Sequence, residues 1–203
     1  MIPIFLKGGP IMWPLLATSI VALTVVLERV FFIVGERLRR DPAGVERIFA
    51  AVENGDREGA IRVGRASRDF VAKVLTYALT QPEGSHVNAL LRAAGRELKR
   101  FNRGLSILDT VITLAPLLGL LGTVTGMIRS FSLLGGAELG APAAITGGIA
   151  EALIATAFGL LIAIIALIPF NFLNSRLEDA RHEMEDAASR LDALLRPVSG
   201  VAA

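Results

Sequence analysis

The chain has 203 residues, a net charge of +2, 53% hydrophobic residues and 20% charged residues, with a mean hydropathy of +0.57. That balance excludes an ordinary soluble domain. Cysteine is absent, which excludes disulfides, thiol nucleophiles and thiolate metal sites.

Residues 1–10 are a short apolar lead carrying Lys7, set apart from the first long apolar stretch by Gly8-Gly9-Pro10. The lead is expected on the outer membrane surface. A spanning helix needs roughly 20 apolar residues, and residues 11–34 supply them, interrupted only at Glu28-Arg29. Pro14 falls in the first turn, where a missing N–H costs nothing. Trp13 falls at the boundary, where an indole prefers the headgroups. No basic region precedes this stretch and no small-residue cleavage site comes after it, so it reads as a retained anchor rather than a signal peptide.

Residues 35–104 read as helices with clear punctuation. Asp41-Pro42 is a cap followed by proline at the first helical position, and Asn54-Gly55 is a stop. Asp56 restarts a helix through Ala66, and Asp69–Thr80 forms another, ended by Gln81-Pro82. From Ser85 the pattern meets only isolated glycines before the second span. An unbroken helix to Phe131 would be about 70 Å long. His86 and His182 lie in charged helical sequence and are expected to be solvated.

Two further spans occupy residues 105–133 and 144–170, joined by a loop over 134–143. Lys and Arg number fourteen between the first and second spans, from Arg37 to Arg103, whereas Leu133–Ala143 carries none and has Glu138. The tail, 171–203, has Arg176, Arg181, Arg190 and Arg196. Positive residues mark the cytoplasmic side, so the N-terminus is expected outside and the C-terminus inside. Acids are interspersed throughout the basic region, which argues against nucleic acid as a partner. In the tail, Leu177, Met184 and Leu191 with Ala180, Ala187 and Leu194 make a heptad seam. The seam suits packing on the chain's own helices or on another subunit. The expected fold is an all-α membrane protein with three transmembrane helices and long cytoplasmic helical extensions.

The second and third spans carry strips of small residues. Ala115, Gly119, Gly122 and Gly126 form one, and Gly148, Ala152, Thr156, Gly159 and Ala163 the other. Such strips let helices approach closely. They serve packing of the two spans on each other, and two of them offer more surface than one three-helix chain uses, which predicts oligomerisation. Pro116 frees the Ile112 carbonyl and should kink or loosen its helix, with Thr113 placed to satisfy freed backbone groups. Asp109 lies near the inner boundary as a solvated helix-end acid.

Polar groups at membrane depth are functional candidates, because lipid offers them no partner. Glu151 is one, at a cost on the order of 3 kcal/mol on insertion scales. It can pair with Arg129, titrate in an ion path, or sit shallow enough to be hydrated. If Thr123 and Thr156 stand level, Arg129 and Glu151 are nearly level too, about 9 and 7.5 Å outward. Both threonines can alternatively bond their own helices at i−4. No nucleophile–base pair, metal cluster or phosphate loop occurs in the sequence, so an enzyme is not expected, nor a bound cofactor or metal.

These segments resemble the MotA/TolQ/ExbB proton channel family, most closely its ExbB/TolQ branch. The resemblance rests on Gly9-Pro10-Ile11-Met12-Trp13-Pro14-Leu15-Leu16 with Glu28-Arg29 in the first span. In the second it rests on Ala115-Pro116-Leu117-Leu118-Gly119-Leu120-Leu121-Gly122-Thr123-Val124. In the third it rests on Gly148-Ile149-Ala150-Glu151-Ala152-Leu153 and Ala155-Thr156-Ala157-Phe158-Gly159-Leu160. It covers nearly the whole chain. MotA-type members have four spans, from which this chain departs. The resemblance implies a homopentameric ring in the bacterial inner membrane, N-terminus periplasmic, around an ExbD/TolR-like single-span dimer that carries a transmembrane aspartate. Thr123 and Thr156 match the family's pore threonines and Glu151 its third-span acid. Protons are the implied coupling ion, and a TonB/TolA-like periplasm-spanning protein the implied recipient of the work. The alternative is a membrane scaffold, or a channel conducting by itself.

Overall fold

The computed structural model describes residues 2–82, 85–134 and 142–195. Most of the loop expected over 134–143, with Glu138, and the end of the tail, with Arg196, lie outside the described residues. Every regular element among the described residues is helical. In chain order these are α1 (Ile2–Lys7), α2 (Met12–Leu38), α3 (Pro42–Glu53), α4 (Arg57–Ala66), α5 (Phe70–Leu79), α6 (His86–Asn102), α7 (Leu105–Leu134) and α8 (Pro142–Leu195). Three helical stretches are long and apolar enough to cross a membrane, their apolar parts lying in α2, α7 and α8. The chain divides into two compact units, one of Met1–Arg29 with Gly104–Leu173, the other of Val30–Arg103 with Asn174–Ala203.

The first unit packs through small residues. Ala115, Ala152 and Ala155 are buried between α7 and α8, and Met12 and Leu15 of α2 close the cluster beside Phe5, Ile154 and Phe158. Large side chains such as Leu117, Leu120, Ile128, Leu153, Ile164 and Ile168 remain exposed. That inversion of inside and outside is the pattern of helices whose solvent is lipid. At the end of this unit Arg29 is buried and held by Glu28, with Nε to Oε2 and Nη2 to Oε1 both at 2.5 Å.

The second unit is built on capped helices. The carboxylates of Asp41, Asp56 and Asp69 each accept a backbone N–H in the first turn of α3, α4 and α5, satisfying donors that a helix start leaves open. Its core joins Ile48, Phe49, Val74, Leu75 and Leu79 to Ala180, Met184 and Leu191 of α8. The heptad seam therefore packs on the chain's own helices. Asp69, fully buried, also accepts from the Asp41 N–H at 2.9 Å and faces Arg40 Nε at 3.5 Å.

Two local expectations fail. No single helix runs from Ser85 to Phe131: α6 ends at Asn102, Arg103 is extended (ψ 131°), and Gly104 takes φ +84° before α7. A Cβ on Gly104 would lie 3.0 Å from Val25 Cγ1 and 3.4 Å from Arg29 Cδ, so both the conformation and the close approach require glycine there. His86 is not a solvated side chain either. Its Nδ1 lies 2.9 Å from the Ala78 carbonyl, and the ring is half-buried at the C-terminal end of α5. His182 is exposed.

Candidate functional site

Helices α7 and α8 run antiparallel, and their glycines set the spacing. A Cβ on Gly126 would lie 3.0 Å from Ala152 Cβ and 3.1 Å from the Gly148 carbonyl. One on Gly122 would lie 2.5 Å from Ala155 Cβ, and one on Gly119 3.0 Å from Thr156 Cα. From the other side, a Cβ on Gly159 would lie 2.5 Å from the Ala115 carbonyl, and one on Gly148 3.3 Å from the Gly126 carbonyl. The two strips read from the sequence thus meet each other, backbone against backbone.

That closeness decides how the threonines are bonded. Thr156 Oγ1 donates across the interface to the Gly119 carbonyl at 2.9 Å. It does not bond its own helix, because the bare Cα of Gly119 brings a foreign carbonyl nearer. Thr123 Oγ1 donates within α7 to the Leu120 carbonyl at 2.7 Å, at i−3 rather than i−4. Both side chains are half-buried. They are not level: Thr156 stands opposite Gly119, about one helical turn along α7 from Thr123. Thr113 Oγ1, expected to serve the backbone freed by Pro116, instead donates to the Asp109 and Thr110 carbonyls at 3.2 and 3.0 Å. The helix continues through Pro116, and Asp109 is exposed.

At the far end of the interface the structure brings together Arg129 and Glu151. Arg129 Nη1 donates to Glu151 Oε1 at 3.0 Å, with the Glu151 side chain 23% exposed and the Arg129 side chain 54%. Two neighbours were not read as site residues from the sequence. Ser130 is buried and donates to the Gly126 carbonyl at 3.0 Å. Gly9, with φ +72°, places its Cα face directly on the Glu151 carboxylate. Ser130 extends the small-residue strip by one turn and was legible from that spacing. Gly9 carries no such signal, since its contact is nonlocal. Among the described residues, no group of His, Asp and Glu is placed to hold a metal ion.

The arrangement is a thin interface of close-packed backbones, with the Thr156 and Ser130 hydroxyls donating to the Gly119 and Gly126 carbonyls, Thr123 bonded within α7, and one ion pair at its edge. The sequence between Thr110 and Ile128, and between Ala152 and Ser175, has no ionisable side chain. The interface holds hydroxyl and carbonyl oxygens and has no carboxylate of its own at that depth.

Residues 64–186 match the profile of the MotA/TolQ/ExbB proton channel family. The chain is 39% identical over 204 residues to a putative ExbB-like biopolymer transport protein of Synechocystis, covering 96% of this chain and 78% of that protein. It is 40% identical over 91 residues to the Tol-Pal system protein TolQ of Haemophilus influenzae, covering 45% of this chain and 40% of TolQ. It is 36% identical over 98 residues to the biopolymer transport protein ExbB of Neisseria gonorrhoeae, covering 48% and 44%. With three apolar helices, a profile match over more than half its length and a relative aligned over 96% of this chain, this multi-pass membrane protein belongs to the MotA/TolQ/ExbB proton channel family.

Proposed function

We propose that the chain is the ring subunit of an inner-membrane motor of the ExbB/TolQ kind, driven by the proton gradient. In this reading α7 and α8 line a central pore in a pentameric ring, and the pore holds a dimer of single-span partner helices bearing a protonatable aspartate. The N-terminus faces the periplasm and the C-terminus the cytoplasm. Residues 35–104 and 171–203 form the cytoplasmic body, and a TonB- or TolA-like protein receives the work.

One observation carries the reading. Glu151 is held by Arg129 at 3.0 Å, and no other carboxylate lies in the middle of α7 or of the apolar part of α8. In this reading the Arg129–Glu151 pair is structural, and the proton carrier comes from the partner helices. The half-buried hydroxyls of Thr123 and Thr156, one of each per subunit, supply polar partners that lipid would not. A self-sufficient channel would instead need its titrating acid free and central.

Native mass spectrometry of the detergent-purified chain, expressed with and without a candidate single-span partner, tests the assembly. A ring that retains the partner dimer is expected. A ring that ignores every aspartate-bearing partner would contradict the reading in favour of a scaffold or autonomous channel.

A further inference from the structure

The turn between α1 and α2 lies against the one carboxylate of the α7–α8 interface. Gly9 adopts φ +72°, and the space where its Cβ would stand is occupied by Glu151, with Oε1 nearest, Cδ at 2.5 Å and Cγ at 3.0 Å. No side chain fits there unless the carboxylate moves. The turn itself is pinned. A Cβ on Gly8 would lie 2.6 Å from Met12 Cγ and 3.0 Å from Ile154 Cγ2, and Met12 is buried in the same cluster as Phe5 and Ile154. Phe5 packs edge-on against Trp13 with centroids 5.6 Å apart, folding α1 back on α2. Ile154 lies three residues from Glu151 on α8, so the contacts that fix the turn lie one helical turn from the acid.

Glu151 therefore has two walls, the Arg129 guanidinium and the backbone of Gly9. The first gives it a charge partner. The second lies directly on the carboxylate and leaves no room there for a side chain. We propose that Gly9 is a positioning residue, which holds the Glu151 carboxylate against Arg129 and shields it from the aqueous phase. The proposal rests on Glu151 belonging to the polar site between α7 and α8, and it assigns to the N-terminal turn the control of that acid's direction and exposure. A terminal carboxylate is the flexible end of its side chain, so alanine at position 9 is expected to displace it rather than to unfold the unit.

The test is labelling of Glu151 by a hydrophobic carbodiimide, quantified by peptide mass spectrometry on the full-length assembled protein. Arg129→Gln sets the level for a carboxyl released from its partner. Gly55→Ala is the control for backbone strain, because Gly55 has φ +74° with open space around it. Gly9→Ala is expected to raise labelling several-fold toward the Arg129→Gln level, and Gly55→Ala to leave it unchanged. An assembled Gly9→Ala protein that labels like the parent overturns the proposal. If Gly9→Ala does not assemble, Gly9→Ala with Glu151→Asp is expected to recover assembly, because aspartate withdraws the carboxylate by about 1.5 Å, one C–C bond. A double variant as defective as the single one overturns it equally. Labelling does not depend on proton flux, so a failure of the motor reading would appear separately, as no flux alongside an intact labelling pattern.

Discussion

Arg129 and Glu151 lie on antiparallel helices and meet at 3.0 Å, Nη1 to Oε1, where α7 and α8 are spaced by Gly126 and Gly148. Each charge offsets the insertion cost of the other, so removing one leaves the other without its partner. Glu151→Gln is expected to destabilise the assembly markedly in the parent and much less in an Arg129→Gln background. The coupling should be about 0.5–3 kcal/mol, read from thermal unfolding of the four proteins in one detergent. Additive losses would reject the pair as a stabilising unit.

Thr156 donates to a carbonyl on another helix, so its hydroxyl joins α7 to α8 at 2.9 Å. Thr156→Val removes that bond, worth about 1 kcal/mol, while keeping the side-chain shape. Assembly is expected to survive, and energised function to fall to background. Thr156→Ser, which keeps the donor, is expected to retain function. Cell-based uptake or envelope-integrity assays, paired with native mass spectrometry for assembly, distinguish these outcomes. Full activity in Thr156→Val would remove the hydroxyl from the pore wall.

Gly159 and Gly95 predict opposite signs for the same substitution. A Cβ on Gly159 would lie 2.5 Å from the Ala115 carbonyl, a backbone atom that cannot turn aside. Gly159→Ala is expected to cost about 1–3 kcal/mol through overpacking. Gly95, inside α6, has open space around its Cα, and Gly95→Ala is expected to stabilise by about 1 kcal/mol through helix propensity. Thermal unfolding of both variants checks the pair.

Glu46 of α3 and Arg190 of α8 form an exposed pair at 2.7 Å, with Arg190 also 4.2 Å from the Phe49 ring centroid. The hydrogen bond from Arg190 holds the Glu46 carboxyl below its ordinary value; burial opposes that, and the Arg190 charge adds a further, lesser lowering. Because the folded pKa is depressed, the stabilisation is present above the unfolded value of about 4.3. It is lost as pH falls through the lower folded value. The effect is small, since both groups face solvent and salt screens them. The stability difference between the parent and Glu46→Gln is expected near neutral pH and low salt, and to vanish in acid. A difference that persists in acid would assign it to packing.

Local chemistry was legible in the sequence where one residue acts on its own helix. Asp41, Asp56 and Asp69 announce α3, α4 and α5 because a capping carboxylate needs only the next two or three N–H groups. The glycine strips are legible because spacing alone puts them on one face. Gly104 was not, since a lone glycine in a helical pattern is ambiguous until Val25 and Arg29 are seen beside it. His86 looked like a surface residue because its partner, the Ala78 carbonyl, is supplied by the preceding helix. The cross-helix bond of Thr156 and the contact of Gly9 with Glu151 depend on how close two backbones come, and no periodicity encodes that distance.

The central claim is that this chain forms the pore wall and a partner brings the titrating acid. Proton flux into pH-gradient-loaded proteoliposomes tests it most directly, measured with the chain alone, with the single-span partner, and with that partner's aspartate changed to asparagine. The account predicts flux only with the intact partner. Equal flux from the chain alone would contradict it and would return Glu151 to the role of proton carrier.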